Sequence, residues 1–86
     1  MNDVEDFLSY LLTDKGYSDK TIHVYRDTLE SVESFYQVLD EQITWQTLHQ
    51  DVVRQWVASR MEKGDSARTI CKCLSALRTF YKYMLR

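Results

Sequence analysis

Apolar residues recur along this chain three and four positions apart, and four stretches hold that spacing long enough to predict a helix. The first is read from Asn2 to Thr13, with Val4, Phe7, Leu8, Leu11 and Leu12 on one side. Asp3, Glu5 and Asp6 suit the positive end of its dipole, and Gly16 supplies a stop. The second is read from Asp19 to Leu39, with the hydroxyl of Ser18 as its N-cap and Tyr17 and Ile22 as a hydrophobic staple across it. Ile22, Tyr25, Leu29, Val32, Phe35, Tyr36 and Leu39 form its apolar stripe, opposite His23, Arg26, Glu30, Glu33 and Gln37. Residues Asp40 to Thr47 read as a connection that turns Ile43 and Trp45 into the core.

The third helix is read from Leu48 to Lys63, burying Leu48, Val52, Val53, Trp56, Val57 and Met61. Gly64 ends it, and Asp65 or Ser66 caps the next. The fourth, from Ala67 to Leu85, is the clearest element. Ile70, Leu74, Leu77, Phe80, Tyr81, Met84 and Leu85 lie on one side, with Cys73 at the margin. The pattern predicts one all-α domain of four helices over residues 1–86, without internal repeat, low-complexity tract or linker.

Composition narrows the picture. A chain of 86 residues without proline and with two glycines favours helix, and its eleven aromatic residues can build a small core. Cys71 and Cys73 stand two apart, too close for a staple and off the spacing of a redox or zinc pair, so they read as reduced residues on a helix. His23 and His49 are far from each other and from the cysteines, so no metal site and no cofactor is expected. There is no transmembrane run, and the first fifteen residues alternate acids with apolar residues, unlike a signal peptide; a cytoplasmic protein without membrane contact is expected. An end at Arg86, directly after a helix, suggests that more chain follows.

The net charge of −2 argues against nucleic acid, but its distribution argues the other way. Ser66 to Arg86 hold five basic residues and no acid, whereas residues 1–65 hold six basic residues and thirteen acids, a net of −7. At about 100° per residue, Arg68, Lys72, Arg78, Lys82 and Arg86 fall within about 120° of one another, with Ser75 and Thr79 among them. Cations commonly just solvate a helix side, but i,i+4 Glu–Lys pairs would do that and none is here. Long cations beside hydroxyls suit contacts to phosphate oxygens and base edges. Lys20, Thr21, His23 and Arg26 stand in the first two turns of the second helix, whose free amides favour an anion; ordinary capping by Ser18 explains that end equally well. No phosphate loop, metal-ligand spacing or nucleophile elbow is present, the carboxylates are scattered, and no catalytic residue is assigned.

Three stretches resemble a known family. YSDKTIHVYRDTL at 17–29, VRQWV at 53–57 and GDSARTICKCLSALRTFYKY at 64–83 are similar, in order, to motifs of Xer-type tyrosine recombinases and phage integrases. The LSALRTFY block at 74–81 is the most specific. The resemblance implies a SAM-like core-binding domain with orthogonally packed helix pairs, N-terminal to a larger catalytic domain that clamps a recombination half-site with it. Its implied partners are double-stranded DNA, that catalytic domain, and neighbouring protomers in a synaptic tetramer. Arg68 and Lys72 would enter the major groove, with Thr69, Ser75 and Arg78 on the backbone. Thr21 and His23 would face the groove, flanked by Lys20 and Arg26. Lys72 stands where the family has arginine, and a lysine lacks the fork that reads guanine bidentately. Cys71 and Cys73 replace residues that are often basic or small, and weak affinity is expected of the domain alone. The tyrosine nucleophile of such enzymes has no counterpart here. The first helix, acidic and apolar, is a candidate contact between protomers. The rival expectation is a helical protein–protein module, since SAM-like folds host both roles.

Overall fold

Two serines set where the two longest helices begin. In the computed structural model, which describes residues 3–85, Ser18 and Ser66 are extended (φ −70°, ψ 157° and φ −77°, ψ 159°). Each hydroxyl accepts from the amide three residues on, Ser18 from Thr21 at 3.3 Å and Ser66 from Thr69 at 3.2 Å. These caps open α2 (Asp19–Leu39) and α4 (Ala67–Met84); α1 (Asp3–Thr13) and α3 (Gln50–Glu62) complete an all-α fold with no strand among the described residues. Asn2 and Arg86, included in the predicted first helix and cationic face, lie outside the described residues. Replacing Ser66 or Ser18 by alanine is expected to cost about 1 kcal/mol. By circular dichroism each should melt roughly 4–8 °C lower.

The turn between α3 and α4 is a Schellman motif. Gly64 adopts φ +101°, its amide donates to the Met61 carbonyl (3.0 Å), and the Asp65 amide donates to the Arg60 carbonyl (3.1 Å). Gly16 (φ +66°) marks the break after α1. The cap of α3 differs from expectation. The chain is still extended at His49, whose Nδ1 accepts the Asp51 amide at 3.1 Å, so the helix starts at Gln50 rather than Leu48.

The core draws on all four helices and on the α2–α3 connection. Phe7, Leu11, Leu29, Val32, Tyr36, Trp56 and Phe80 are fully buried. Phe80 stands edge-on to Phe7 (5.2 Å) and Trp45 (4.8 Å), and Trp45 edge-on to Tyr36 (5.3 Å). Trp45 thus enters the core from the α2–α3 connection as expected, and the Tyr81 hydroxyl holds it by donating to its carbonyl at 2.8 Å. Burial pushes the Tyr81 and Tyr36 hydroxyls above their ordinary pKa, which keeps both protonated.

Four residues assigned to apolar stripes are exposed, Leu12 at 48%, Leu39 50%, Met61 55% and Leu85 85%, and of the buried side predicted for α3 only Trp56 is fully covered, Leu48, Val52, Val53 and Val57 being half-buried. Each of the four exposed residues lies at or near the end of its helix, where the stripe runs past the neighbour it packs on. Conversely, Thr28, Cys73 and Ala76 are buried, and the Thr28 hydroxyl of α2 lies 3.6 Å from the Cys73 sulfur of α4.

Candidate nucleic-acid interface

The outward side of α4 follows from its inward side. Because Ile70, Cys73, Ala76, Leu77 and Phe80 are buried, Arg68, Lys72, Ser75, Arg78 and Lys82 are turned to solvent. Among the described residues, none of these four cations is in an ion pair, and α4 contains no acid. Thr69 is exposed at the helix start, its hydroxyl 3.1 Å from that of Ser66. Thr79 is half-buried and donates back to the Ser75 carbonyl at 3.0 Å. The exposed thiol of Cys71 is flanked in sequence by Ile70 and Lys72.

The front of α2 is built differently. Lys20 is exposed and, among the described residues, in no ion pair; Thr21 is half-buried and hydroxyl-bonded to Ser18 at 3.1 Å. His23 lies 3.3 Å from the Asp27 carboxylate. Arg26 is turned to α1, where its guanidinium grips the Glu5 carboxylate with both terminal nitrogens, and Glu30 is 4.0 Å away. The hydrogen bond from Arg26 holds the Glu5 carboxyl below the usual carboxylate range, and Glu5 raises Arg26 in turn. Of the residues assigned to this helix, Lys20 alone offers a cation that no acid among the described residues neutralises; Arg26 stitches α2 to α1. No sequence signal gives that pairing, since Glu5 and Arg26 are 21 positions apart and on different helices.

One cation outside both assigned helices joins the surface. Arg54 of α3 lines a groove of about 620 Å³ with Arg78 and Lys82 of α4, over a floor that includes Val53, Leu74 and Tyr81. Arg54 is 3.7 Å from Asp51, so its charge is partly met. Periodicity within α3 gives no signal for it, because it says nothing about which neighbouring helix a face meets.

Among the described residues, no set of three or more His, Cys, Asp or Glu side chains converges as a metal site. No helix there is long and apolar enough to cross a membrane. The arrangement can therefore present charge and hydroxyls over a helix face, the chemistry of binding a polyanion.

Comparison with known proteins agrees with the motifs. Residues 4–86 match the family model for the phage integrase N-terminal SAM-like domain. The chain is 41% identical over 85 residues to the tyrosine recombinase XerC of Bacillus subtilis, covering 99% of this chain and 28% of that protein. It is 31% identical to XerD of Listeria monocytogenes (99% and 29%) and 33% identical to XerD of Pseudomonas aeruginosa (96% and 27%). It thus spans under a third of the length of these recombinases. No solved structure gives a significant match. With four helices, three motifs in order and a match from residue 4 to 86, the chain belongs to the phage integrase N-terminal SAM-like domain family.

Proposed function

We propose that this domain binds double-stranded DNA at recombination half-sites as the N-terminal part of a cytoplasmic tyrosine recombinase. A catalytic domain following Arg86 would carry the cleavage and rejoining chemistry. The observation that carries the reading is the row Arg68, Lys72, Arg78 and Lys82. These are four exposed cations without an ion-pair partner among the described residues, on a helix without acids, in a chain with thirteen acids elsewhere. Arg68 and Lys72 face base edges, Thr69, Ser75 and Arg78 the backbone, and Lys20, Thr21 and His23 approach from α2. Arg26 takes a smaller part than the motif assigns it, because contacting phosphate would mean leaving Glu5. Neighbouring protomers are the protein partners. The acidic α1 and the apolar groove rimmed by Arg54, Arg78 and Lys82 are surfaces that can serve them.

The test is a salt titration of the domain on a fluorescent duplex followed by anisotropy. Log K should fall linearly with log salt, with a slope of about −0.9 for each phosphate neutralised. Arg68→Ala and Lys72→Ala should weaken binding several-fold, while Glu30→Ala and Glu33→Ala should not. Equal losses from both sets would remove the assigned face.

A further inference from the structure

Arg60 has a constellation of partners that charge solvation does not require. It sits in the last turn of α3 with a side chain about one-third exposed. Its Nε donates to the Asp65 carboxylate at 2.5 Å and its Nη1 to the Ser31 hydroxyl at 3.0 Å. The same hydroxyl accepts the Trp56 indole N–H at 3.1 Å, and the guanidinium carbon lies 5.7 Å from the Trp56 ring centre. Asp65 is only one-quarter exposed and directly precedes Ser66, the cap of α4. Its main chain is tied to the same residue, through the Asp65 amide and the Arg60 carbonyl. Ser31 belongs to α2, one turn beyond Thr28, which meets Cys73 of α4. One side chain therefore joins the middle of α2, the end of α3 and the entry to α4.

We infer that Arg60 is a positioning residue for the DNA-facing surface: by holding Ser31 and Asp65 together it fixes the start of α4 against α2. This rests on the DNA-binding reading above and adds to it. Arg68, Thr69 and Lys72 all stand within the first two turns after the clamped segment, so the angle at which α4 leaves Asp65 sets where they reach. A polar clamp suits this because a planar guanidinium offers its donors in a fixed fork, whereas apolar contacts alone tolerate rotation. With Asp65, Ser31 and Trp56 as its neighbours, Arg60 is engaged inside the domain and contributes orientation rather than a phosphate contact.

Charge and positioning predict opposite signs for one substitution. Asp65→Asn removes an acid from a protein of net charge −2 and from the approach to a cationic helix, so a sum of charges predicts tighter binding to DNA. Loss of the clamp predicts weaker binding. The experiment is a salt titration of the 86-residue chain and its variants on a duplex of about 30 base pairs, at a temperature where circular dichroism shows each fully folded. Asp65→Asn is expected to bind roughly fivefold to tenfold more weakly, the change for about one ordinary hydrogen bond of lost preorganisation, with an unchanged salt slope. Ser31→Ala alters no charge and provides the second arm, with the same direction and the same unchanged slope expected. Asp65→Asn binding as well as or better than the parent, or Ser31→Ala binding like the parent, overturns the assignment. So does a slope lowered by about one in either variant, which would mean a lost phosphate contact instead. A parent chain that binds no duplex removes the DNA reading and this one together; a parent that binds, with indifferent variants, removes this one alone.

Discussion

Replacing Phe80 by alanine should cost about 3–5 kcal/mol. A domain of this size is stable by only about 5–10 kcal/mol, so the variant would keep a small margin or none. Phe80 has no exposed surface and touches aromatic rings contributed by three parts of the chain: Phe7 of α1, Trp45 of the α2–α3 connection and Tyr81 beside it on α4. Removing its ring leaves a hole that those rigid rings cannot close by small rotations, and the edge-on contacts are lost as well. The melting temperature by circular dichroism should fall by roughly 15–30 °C. Phe80→Leu, which keeps most of the volume, should cost about 1–2 kcal/mol. A drop below about 5 °C for the alanine variant would show that the core does not centre on this residue.

The second large effect concerns charge. Changing Arg68, Lys72, Arg78 and Lys82 together to alanine should weaken duplex binding by on the order of a hundredfold to a thousandfold, since each cation contributes on the order of 1 kcal/mol. The salt slope should fall by about 2 to 4, according to how many of the four meet phosphate rather than base edges. The fold should survive, because these side chains are exposed, form no ion pair among the described residues, and give way to alanine, the residue that favours helix most. An unchanged slope in the folded variant would mean that the polyanion, if bound, sits elsewhere.

Local signals fixed much of this architecture in advance. The bounds of α2 follow from a capping serine, a preceding glycine and an unbroken apolar stripe, and the structure keeps them at Asp19 and Leu39. The start of α3 did not follow, because Leu48 continues the apolar spacing while the backbone stays extended until His49 caps the helix. Periodicity also overshot at Leu12, Leu39, Met61 and Leu85, since it cannot tell where a neighbouring helix ends. Thr28 and Ala76 are buried although neither is a large apolar residue that marks a stripe, and Thr28 meets Cys73 of α4 there. For the candidate site, the α4 face was legible because one helix supplies all of it. Three features required the third dimension: the capture of Arg26 by Glu5, the approach of Arg54, and the Arg60 clamp, each of which joins residues on different elements.

The two indoles of the chain sit in contrasting surroundings. Trp56 donates its N–H to Ser31 and has a guanidinium close to its ring. Trp45 is buried among Tyr36, Phe80 and Tyr81, and among the described residues its N–H has no partner. Their fluorescence should therefore differ, with Trp45 emitting at the blue end typical of dry aromatic packing and Trp56 answering to changes in the polar groups around it. With each tryptophan replaced in turn by phenylalanine, the protein becomes its own optical gauge, one indole reporting on the aromatic centre and the other on the junction of the last three helices.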